Sequence, residues 1–293
     1  MIRFPGKTWL SQFDSLLFVH QKIVARRVRR DIRAELKSGE GAEVPFTCNL
    51  CGHKVSAPEA MVAGREIRSC YHCGSTQRMR WLIHLLSTGL YTQSLPIPEF
   101  PISPLNGIGM SDPYPLASRL KKKISYLNTY YHKAPKLDIT DLDVVDQGPY
   151  DFILSSDVLE HVAPPIQAAF EHIYNLLNPG GFLILTVPFN TDITETVEHF
   201  PNLFEYRIVN RRGRRSLINT TSSGEEEIYD DLIFHGGEGN TLEMRNFSRD
   251  QLLANLSAAG FVEIDFLSDD YQEIGIIQQP NNSPALTARR PHP

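Results

Sequence analysis

The segment that most constrains the fold of this 293-residue chain runs from Tyr150 to Phe189. Residues 151–154 form a short apolar run with the length of a buried strand. A second such run covers residues 182–187, and the Asn-Pro-Gly-Gly sequence before it predicts a helix end. Apolar residues at helical spacing lie between the two runs: Ile166, Ala169, Phe170, Ile173, Leu176 and Leu177. The segment therefore predicts a strand–helix–strand unit.

A strand–helix–strand unit implies a parallel sheet covered by helices. Such sheets bind ligands beyond the carboxyl ends of their strands. We therefore expect residues 155–161 and 188–190, which follow the two predicted strands, to line a ligand site.

The runs DVLEHV and LNPGGFLILTVP resemble the fourth strand, following helix and fifth strand of class I S-adenosylmethionine (SAM) dependent methyltransferases, and the small-molecule enzymes of type 11 are most similar. The resemblance implies an α/β fold with a Rossmann-like sheet of seven strands. The residues are also compatible with two alternatives: a Rossmann-like domain with another ligand, and a methyltransferase fold that has lost activity.

Four cysteines occur as two CxxCG units, Cys48 with Cys51 and Cys70 with Cys73. Each unit brings two sulfur atoms to one metal, and the glycine permits the tight turn. Four thiolates complete a tetrahedral shell, so we predict a structural zinc ribbon, with an iron–sulfur site as the minor alternative. Because all four cysteines lie in one small region, they also favour a reducing cytoplasmic location over disulfide pairing.

The resemblance also implies a cofactor site. Asn106 to Asp112 takes the place of the glycine-rich first loop, after a poor strand that contains two prolines. The second strand lacks the usual acidic residue for the ribose hydroxyls, so Asn128, Tyr130 or Asp112 would substitute. Asp138 matches the acidic residue that accepts from the adenine amino group, although it could instead cap a turn. The predicted cofactor residues are Gly107, Gly109, Asp112, Asn128, Asp138, Ile139, Ser155 and Asp157.

Three histidines are candidates for the base that removes a proton from a methyl acceptor. His161 follows the fourth strand, whereas His199 and His235 lie in the long segment after the fifth strand. That segment resembles a substrate-recognition insertion, and glycines 236, 237 and 239 could act as hinges. Each histidine alone is more often structural than catalytic.

The charge of the chain is uneven. Residues 1–40 carry nine basic and four acidic side chains, whereas the whole chain has a net charge of −5. Apolar residues at helical spacing between positions 9 and 36 alternate with arginines, which predicts a basic amphipathic helix. The helix would either contact a membrane surface or a protein, or simply pack on the domain. No apolar run reaches membrane-spanning length, and we expect no signal peptide, because Gln12, Asp14 and His20 interrupt the N-terminal apolar segment.

The C-terminal part contains a capping box at residues 248–251, which predicts the start of the last helix. Two strands are expected at 261–267 and 271–277. The predicted organisation is a basic helical extension (1–44), a zinc ribbon (45–80), a linker helix and loop (81–98), a methyltransferase domain (99–278) with a substrate-capping insertion (190–246), and a disordered tail (279–293).

The sequence thus predicts a SAM-dependent methyltransferase with structural zinc and a small-molecule, sugar or glycan acceptor. The first alternative is a non-catalytic zinc-ribbon binding protein on a methyltransferase-like scaffold. The second is a nucleic-acid methyltransferase, which the acidic charge of residues 41–293 disfavours.

Overall fold

The computed structural model describes residues 26–37, 39, 41–141, 148–211, 213–235, 241–280 and 282–293. Helix α1 includes residues 26–37, so the part of the predicted basic helix before residue 26 lies outside the described residues. The cysteine region follows as an antiparallel hairpin and two helices: β1 (Glu43–Thr47), β2 (Lys54–Pro58), α2 (Glu59–Ala63) and α3 (Gln77–Tyr91).

The first half of the main domain alternates strands with helices. Its elements are β3 (Asn106–Met110), α4 (Tyr114–Leu120), β4 (Ser125–Thr129), β5 (Tyr150–Ser156), α5 (Gln167–Leu176) and β6 (Leu177–Thr186). A 3-10 turn, Leu159–His161, joins β5 to α5. The predicted strand–helix–strand unit is confirmed, and Ala169, Phe170, Ile173 and Leu176 are its buried helical stripe.

The insertion after β6 consists of short strands. They are β7 (Phe189–Asn190), β8 (Val197–Glu198), β9 (Glu205–Arg211), β10 (Arg214–Thr220), β11 (Glu226–Tyr229), β12 (Phe234–His235), β13 (Thr241–Leu242) and β14 (Arg245–Ser248). Strands β9, β10 and β11 form a small antiparallel sheet of their own.

The chain ends with α6 (Arg249–Ala258), β15 (Val262–Phe266) and β16 (Leu286–Arg289). The capping box is confirmed, because Ser248 Oγ accepts a hydrogen bond from the Gln251 N–H at 3.1 Å. The prediction of a disordered tail is wrong, since β16 inserts between β6 and β15. The predicted strand at 271–277 is also wrong. A 3-10 turn, Gln272–Ile274, occupies that place.

The main sheet has the strand order β4-β3-β5-β6-β16-β15. Strands β3, β4, β5 and β6 are parallel to one another, and β16 is antiparallel to β6 and β15. Seven strands were expected in this sheet, and its described residues form six. The third strand of the expected fold would lie next to β4. At that place Tyr130 pairs with Lys136 in an isolated bridge. The sheet is mostly parallel, as the resemblance to class I methyltransferases implied, and it is shorter by one strand on the side of β4.

The two faces of the sheet build two apolar cores. Phe152 and Leu154 of β5 pack with the cysteine region and α3, whereas Ile153 packs with α5 and α6. The alternation follows the two-residue period of a strand. Each such side chain, fully buried, contributes about 1.5–3 kcal/mol to folding. Because Cys48 and Leu50 belong to the same core as Phe152, the cysteine region packs directly on the sheet.

Candidate functional site

The four cysteines converge on one point at the tips of two similar turns. Gly52 and Gly74 follow the CxxC units with φ of +74° and +73°, and each donates its N–H to the first cysteine's carbonyl at 2.7 Å. The Cys48–Cys73 and Cys51–Cys70 sulfur pairs are 3.7 Å apart. A tetrahedron with 2.3 Å zinc–sulfur bonds has edges of about 3.8 Å, so this donor set fits zinc.

The surroundings of the cysteines also suit a tetrathiolate. Arg80 is fully buried next to them and donates to the carbonyls of Gly275 at 2.9 Å and Val62 at 3.2 Å. Burial lowers the pKa of Arg80, and Cys48 and Cys70 are among the groups whose negative charge counteracts that effect. A zinc ion with four thiolates carries a net charge of −2. A buried arginine beside the cluster offsets part of that charge.

The predicted glycine-rich loop is wrong in its position. Gly107 and Gly109 lie inside β3, so the segment is the first strand itself and the prolines precede it. A Cβ atom at Gly109 would lie 1.8 Å from Tyr126 Oη and 1.9 Å from Asp112 Oδ2. A Cβ atom at Gly107 would lie 2.0 Å from the Phe152 ring. Both glycines are therefore required by packing within the protein.

Asp112 and Asn128 lock the loop after β3 to the end of β4. The Asn128 amide accepts from the Asp112 N–H at 2.9 Å and donates to the Asp112 carbonyl at 3.0 Å. Tyr126 donates its hydroxyl to Asp112 Oδ2. Burial raises the pKa of the Asp112 carboxyl to about 7. The amide of Asn128 is thus occupied by backbone groups, whereas Asp112 Oδ1 is buried and has no hydrogen-bond partner in the described part of the chain.

Two further predicted cofactor residues have roles within the protein. Asp138 Oδ1 accepts from the Thr140 N–H at 3.1 Å and its hydroxyl at 2.7 Å, which is the turn-capping alternative. Ile139 is buried in the core beside α5 and α6, and its carbonyl is 2.6 Å from His172 Nδ1.

The carboxyl end of β5 is the most charged part of the sheet edge. Asp157 has a φ of +52°. Its Oδ1 accepts a hydrogen bond from Arg65 Nη2 at 2.6 Å, and its Oδ2 accepts one from Arg65 Nη1 at 2.9 Å. Arg78 Nε lies 3.2 Å from Asp157 Oδ2, and Arg78 also donates to Ser156. Burial opposes ionisation of Asp157, but the two arginines outweigh it and lower the carboxyl's pKa.

The sequence analysis did not select Arg65 and Arg78 as site residues. Both come from the cysteine region, and Glu66 pairs with each of them. Both arginines lie near the second CxxCG unit in the sequence. No local pattern, however, indicates that Arg65 pairs with Asp157, which is 92 residues away.

Several buried polar atoms at this edge have no partner among the described residues. They are Arg65 Nε, Asp112 Oδ1, Ser155 Oγ and Glu160 Oε2. Buried polar groups are nearly always hydrogen-bonded, and unpaired ones cost about 1–3 kcal/mol each. Donors and acceptors are both present, so these residues fit a polar ligand such as the amino-acid part of SAM.

Glu160 is a second residue that sequence reasoning missed, although it lies in the DVLEHV motif. Its side chain is almost completely buried, and burial, together with the nearby Asp157 charge, raises its pKa to about 8. Glu160 Oε1 lies 3.7 Å from His161 Nε2. A carboxyl group with a raised pKa and an imidazole thus lie side by side near the carboxyl end of β5.

The structure brings the three candidate histidines together. Glu243 accepts from His199 Nε2 at 2.9 Å on one oxygen and from His235 Nε2 on the other. The rings of His161 and His235 are 5.3 Å apart. His161 Nδ1 donates to the Leu242 carbonyl at 2.9 Å, which leaves Nε2 free to accept a proton when the ring is neutral. Burial lowers the pKa of His161 and favours this neutral form.

The insertion is attached to the turn after β5 by backbone contacts. Arg245 is fully buried, donates to the Leu159 carbonyl at 2.7 Å and pairs with Glu198 at 2.7 Å. The Met244 N–H donates to the Glu160 carbonyl at 2.7 Å. His235 thus lies beside the carboxyl end of β5, although the predicted glycine hinges at 236, 237 and 239 lie outside the described residues.

Helix α1 carries a basic surface. Ile32 and Leu36 of α1 are buried against the cysteine region, and Arg33 stacks on the Tyr71 ring with 4.5 Å between the guanidinium carbon and the ring centre. A cavity of about 500 Å³ lies beside His72 and is lined by Arg26, Arg29, Arg30, Arg33 and Lys37 of this helix. Contact of this helix with a membrane or a protein stays a prediction. Within the described ranges, no helix combines the length and the apolar character needed to cross a membrane.

Comparison with known proteins agrees with this architecture. Residues 105–221 match a family model described as a methyltransferase domain. The matched residues contain strands β3 to β10. No curated protein sequence matches the chain.

Solved methyltransferase structures align with this chain at low identity and with TM-scores below 0.5. A SAM-dependent methyltransferase from Clostridium acetobutylicum aligns at 11% identity and a TM-score of 0.42, over 74% of this chain and 92% of its own. A sugar N-methyltransferase from a Streptoalloteichus species aligns at 12% identity and a TM-score of 0.43, over 75% of this chain and 90% of its own.

Proposed function

We propose that the protein is a SAM-dependent methyltransferase that modifies a small-molecule or sugar-type acceptor and carries a structural zinc ion. The observation that supports it best is the grouping of His161, His199 and His235 around Glu243, next to the unpaired polar atoms of the sheet edge. One edge thus combines groups for a polar cofactor with groups for proton removal.

Different residues of the chain would bind the cofactor and remove the proton. When bound, SAM supplies an electrophilic methyl group on a sulfonium. Asp112 and Ser155 would hold polar parts of the cofactor, because each has a buried oxygen with no partner in the ranges that the structure describes. His161 Nε2 would accept the proton from the acceptor's hydroxyl or ammonium, which would expose a lone pair on the acceptor atom. The insertion would exclude water from the edge.

A polar acceptor suits the site because its walls carry ionisable groups. Glu243, His199 and His235 offer hydrogen-bonding atoms to hydroxyl or amino groups, as a sugar would present. The hypothesis of a small-molecule or glycan acceptor rests on this chemistry.

Calorimetric titration of the zinc-containing protein with SAM and S-adenosylhomocysteine tests the proposal. We expect saturable binding of both, and release of S-adenosylhomocysteine when amino and neutral sugars are offered as acceptors. His161→Ala should keep the binding and lower the turnover by about 10²-fold or more, the usual contribution of a general base.

A non-catalytic scaffold is the second candidate. The packing of Tyr126 and Asp112 over Gly109 and the internal bonding of Asn128 favour it, because they occupy groups that a cofactor would use. The absence of any heat with either ligand at millimolar concentration would establish this alternative.

A further inference from the structure

We propose that the zinc ribbon contributes a binding residue to the cofactor site, and that Arg65 binds the carboxylate of the cofactor's amino-acid part. This inference rests on the proposed function. The ribbon would then be part of the active site as well as a stabilising element.

The first step is the location of Arg65. It lies between the two CxxCG units, and its guanidinium reaches the carboxyl end of β5, where it holds both oxygens of Asp157. Arg78 lies beside it and donates to Ser156, the last residue of β5. The pair of arginines therefore covers the edge at which parallel sheets bind their ligands.

The second step is the unused donor. The two terminal nitrogens of Arg65 are occupied by Asp157 and Glu66, but Nε is buried and has no partner among the described residues. An unpaired N–H on a cation is costly to bury, and an anion satisfies it best. The edge thus offers a fixed, oriented donor for a negatively charged group.

The third step is the identity of the anion. SAM carries a sulfonium, an ammonium and a carboxylate, and the carboxylate is its one anionic group. Asp112 Oδ1 and Ser155 Oγ also lack partners in the described segments, and they are acceptors suited to the neighbouring ammonium. Donor and acceptors together match a zwitterionic amino acid.

Two ligands test the proposal. S-adenosylhomocysteine carries the amino acid, whereas 5′-methylthioadenosine has the same nucleoside and thioether sulfur without it. In Arg65→Met we expect the affinity for S-adenosylhomocysteine to fall roughly ten- to hundred-fold, the usual value of a charged hydrogen bond. The affinity for 5′-methylthioadenosine should stay at the wild-type value, which also shows that the nucleoside site is folded.

Arg68→Met is the matched control. Arg68 lies in the same loop, but it pairs with Glu35 on the surface and should leave both affinities unchanged. Arg65→Lys keeps the charge and should recover part of the lost affinity.

Three results would overturn the proposal. An unchanged affinity of Arg65→Met for S-adenosylhomocysteine would show that Arg65 does not bind the carboxylate. An equal loss for both ligands would make Arg65 a structural residue. If the wild-type protein binds neither ligand, the proposed function itself fails, and this inference fails with it.

Discussion

Glu243 accepts a hydrogen bond from His199 Nε2 at 2.9 Å, and its second oxygen holds the Nε2 atom of His235. One carboxylate therefore fixes two imidazole rings from different parts of the insertion. His199 precedes the small three-stranded sheet, and His235 follows it. Their common partner orders the wall of the candidate site.

The pH dependence of stability tests this arrangement. Burial would raise the pKa of Glu243, but hydrogen bonds from His199 and His235 outweigh that effect and lower it. A lowered carboxyl pKa adds stability above the unfolded value of about 4.5. That stability is lost as the pH falls through the folded pKa.

Glu243→Gln should therefore lower the urea midpoint at pH 7, and the difference from wild type should shrink below about pH 4. Glu225→Gln, an exposed change in the same insertion, serves as the control. A constant difference across this pH range would contradict the role of the carboxylate charge.

Gly109→Ala should destabilise the fold before it affects any ligand. Its Cβ atom would lie 1.8 Å from the Tyr126 hydroxyl, so the strand and this side chain must separate. Tyr126→Phe removes the hydroxyl oxygen, so Gly109→Ala should destabilise the Tyr126→Phe variant less than it destabilises the wild type. We expect the double variant to be more stable than the sum of the single changes predicts, by about 0.5 kcal/mol or more.

Thermal unfolding of the four proteins of this cycle gives the coupling. Strict additivity would show that Gly109 is required for a reason other than its contact with Tyr126.

The sequence predicted those parts of the fold that depend on local pattern. The apolar runs of β5 and β6 and the stripe of α5 indicate their own structure, because strand and helix periods differ. The four cysteines indicate a common site, because their chemistry leaves few other uses for two CxxCG units.

Other features depend on contacts that no local pattern encodes. A glycine–x–glycine sequence is equally compatible with a strand and with a loop, and the packing of Tyr126 and Phe152 decides for the strand. Strand β16 has only four residues, and its pairing with β6 joins residues more than a hundred positions apart. The Arg65–Asp157 pair joins residues 92 positions apart.

The zinc site gives a direct prediction. Cys51→Ser or Cys73→Ser should abolish zinc binding, which elemental analysis measures, and should lower the melting temperature because metal binding and folding are coupled. His53→Ala is the control, since His53 stacks on His72 and is not one of the four converging ligands. Protein purified without chelator that contains no metal would refute the site.

Glu160 supplies a prediction of opposite sign to that for Glu243. Burial and the neighbouring Asp157 raise its pKa to about 8, so the folded protein keeps a proton that the unfolded chain releases near pH 4.5. The stability that this carboxyl provides is complete below about pH 4.5 and is lost as the pH rises through 8.

Glu160→Gln replaces the neutral acid with a group of the same shape that cannot ionise. We expect the variant to match the wild type in melting temperature near pH 4.5 and to exceed it at pH 8.5. Glu171→Gln, an exposed change on α5, should give curves parallel to the wild type. A wild-type advantage at pH 8.5 would mean that Glu160 is ionised in the folded protein and stabilised by Arg65 and Arg78.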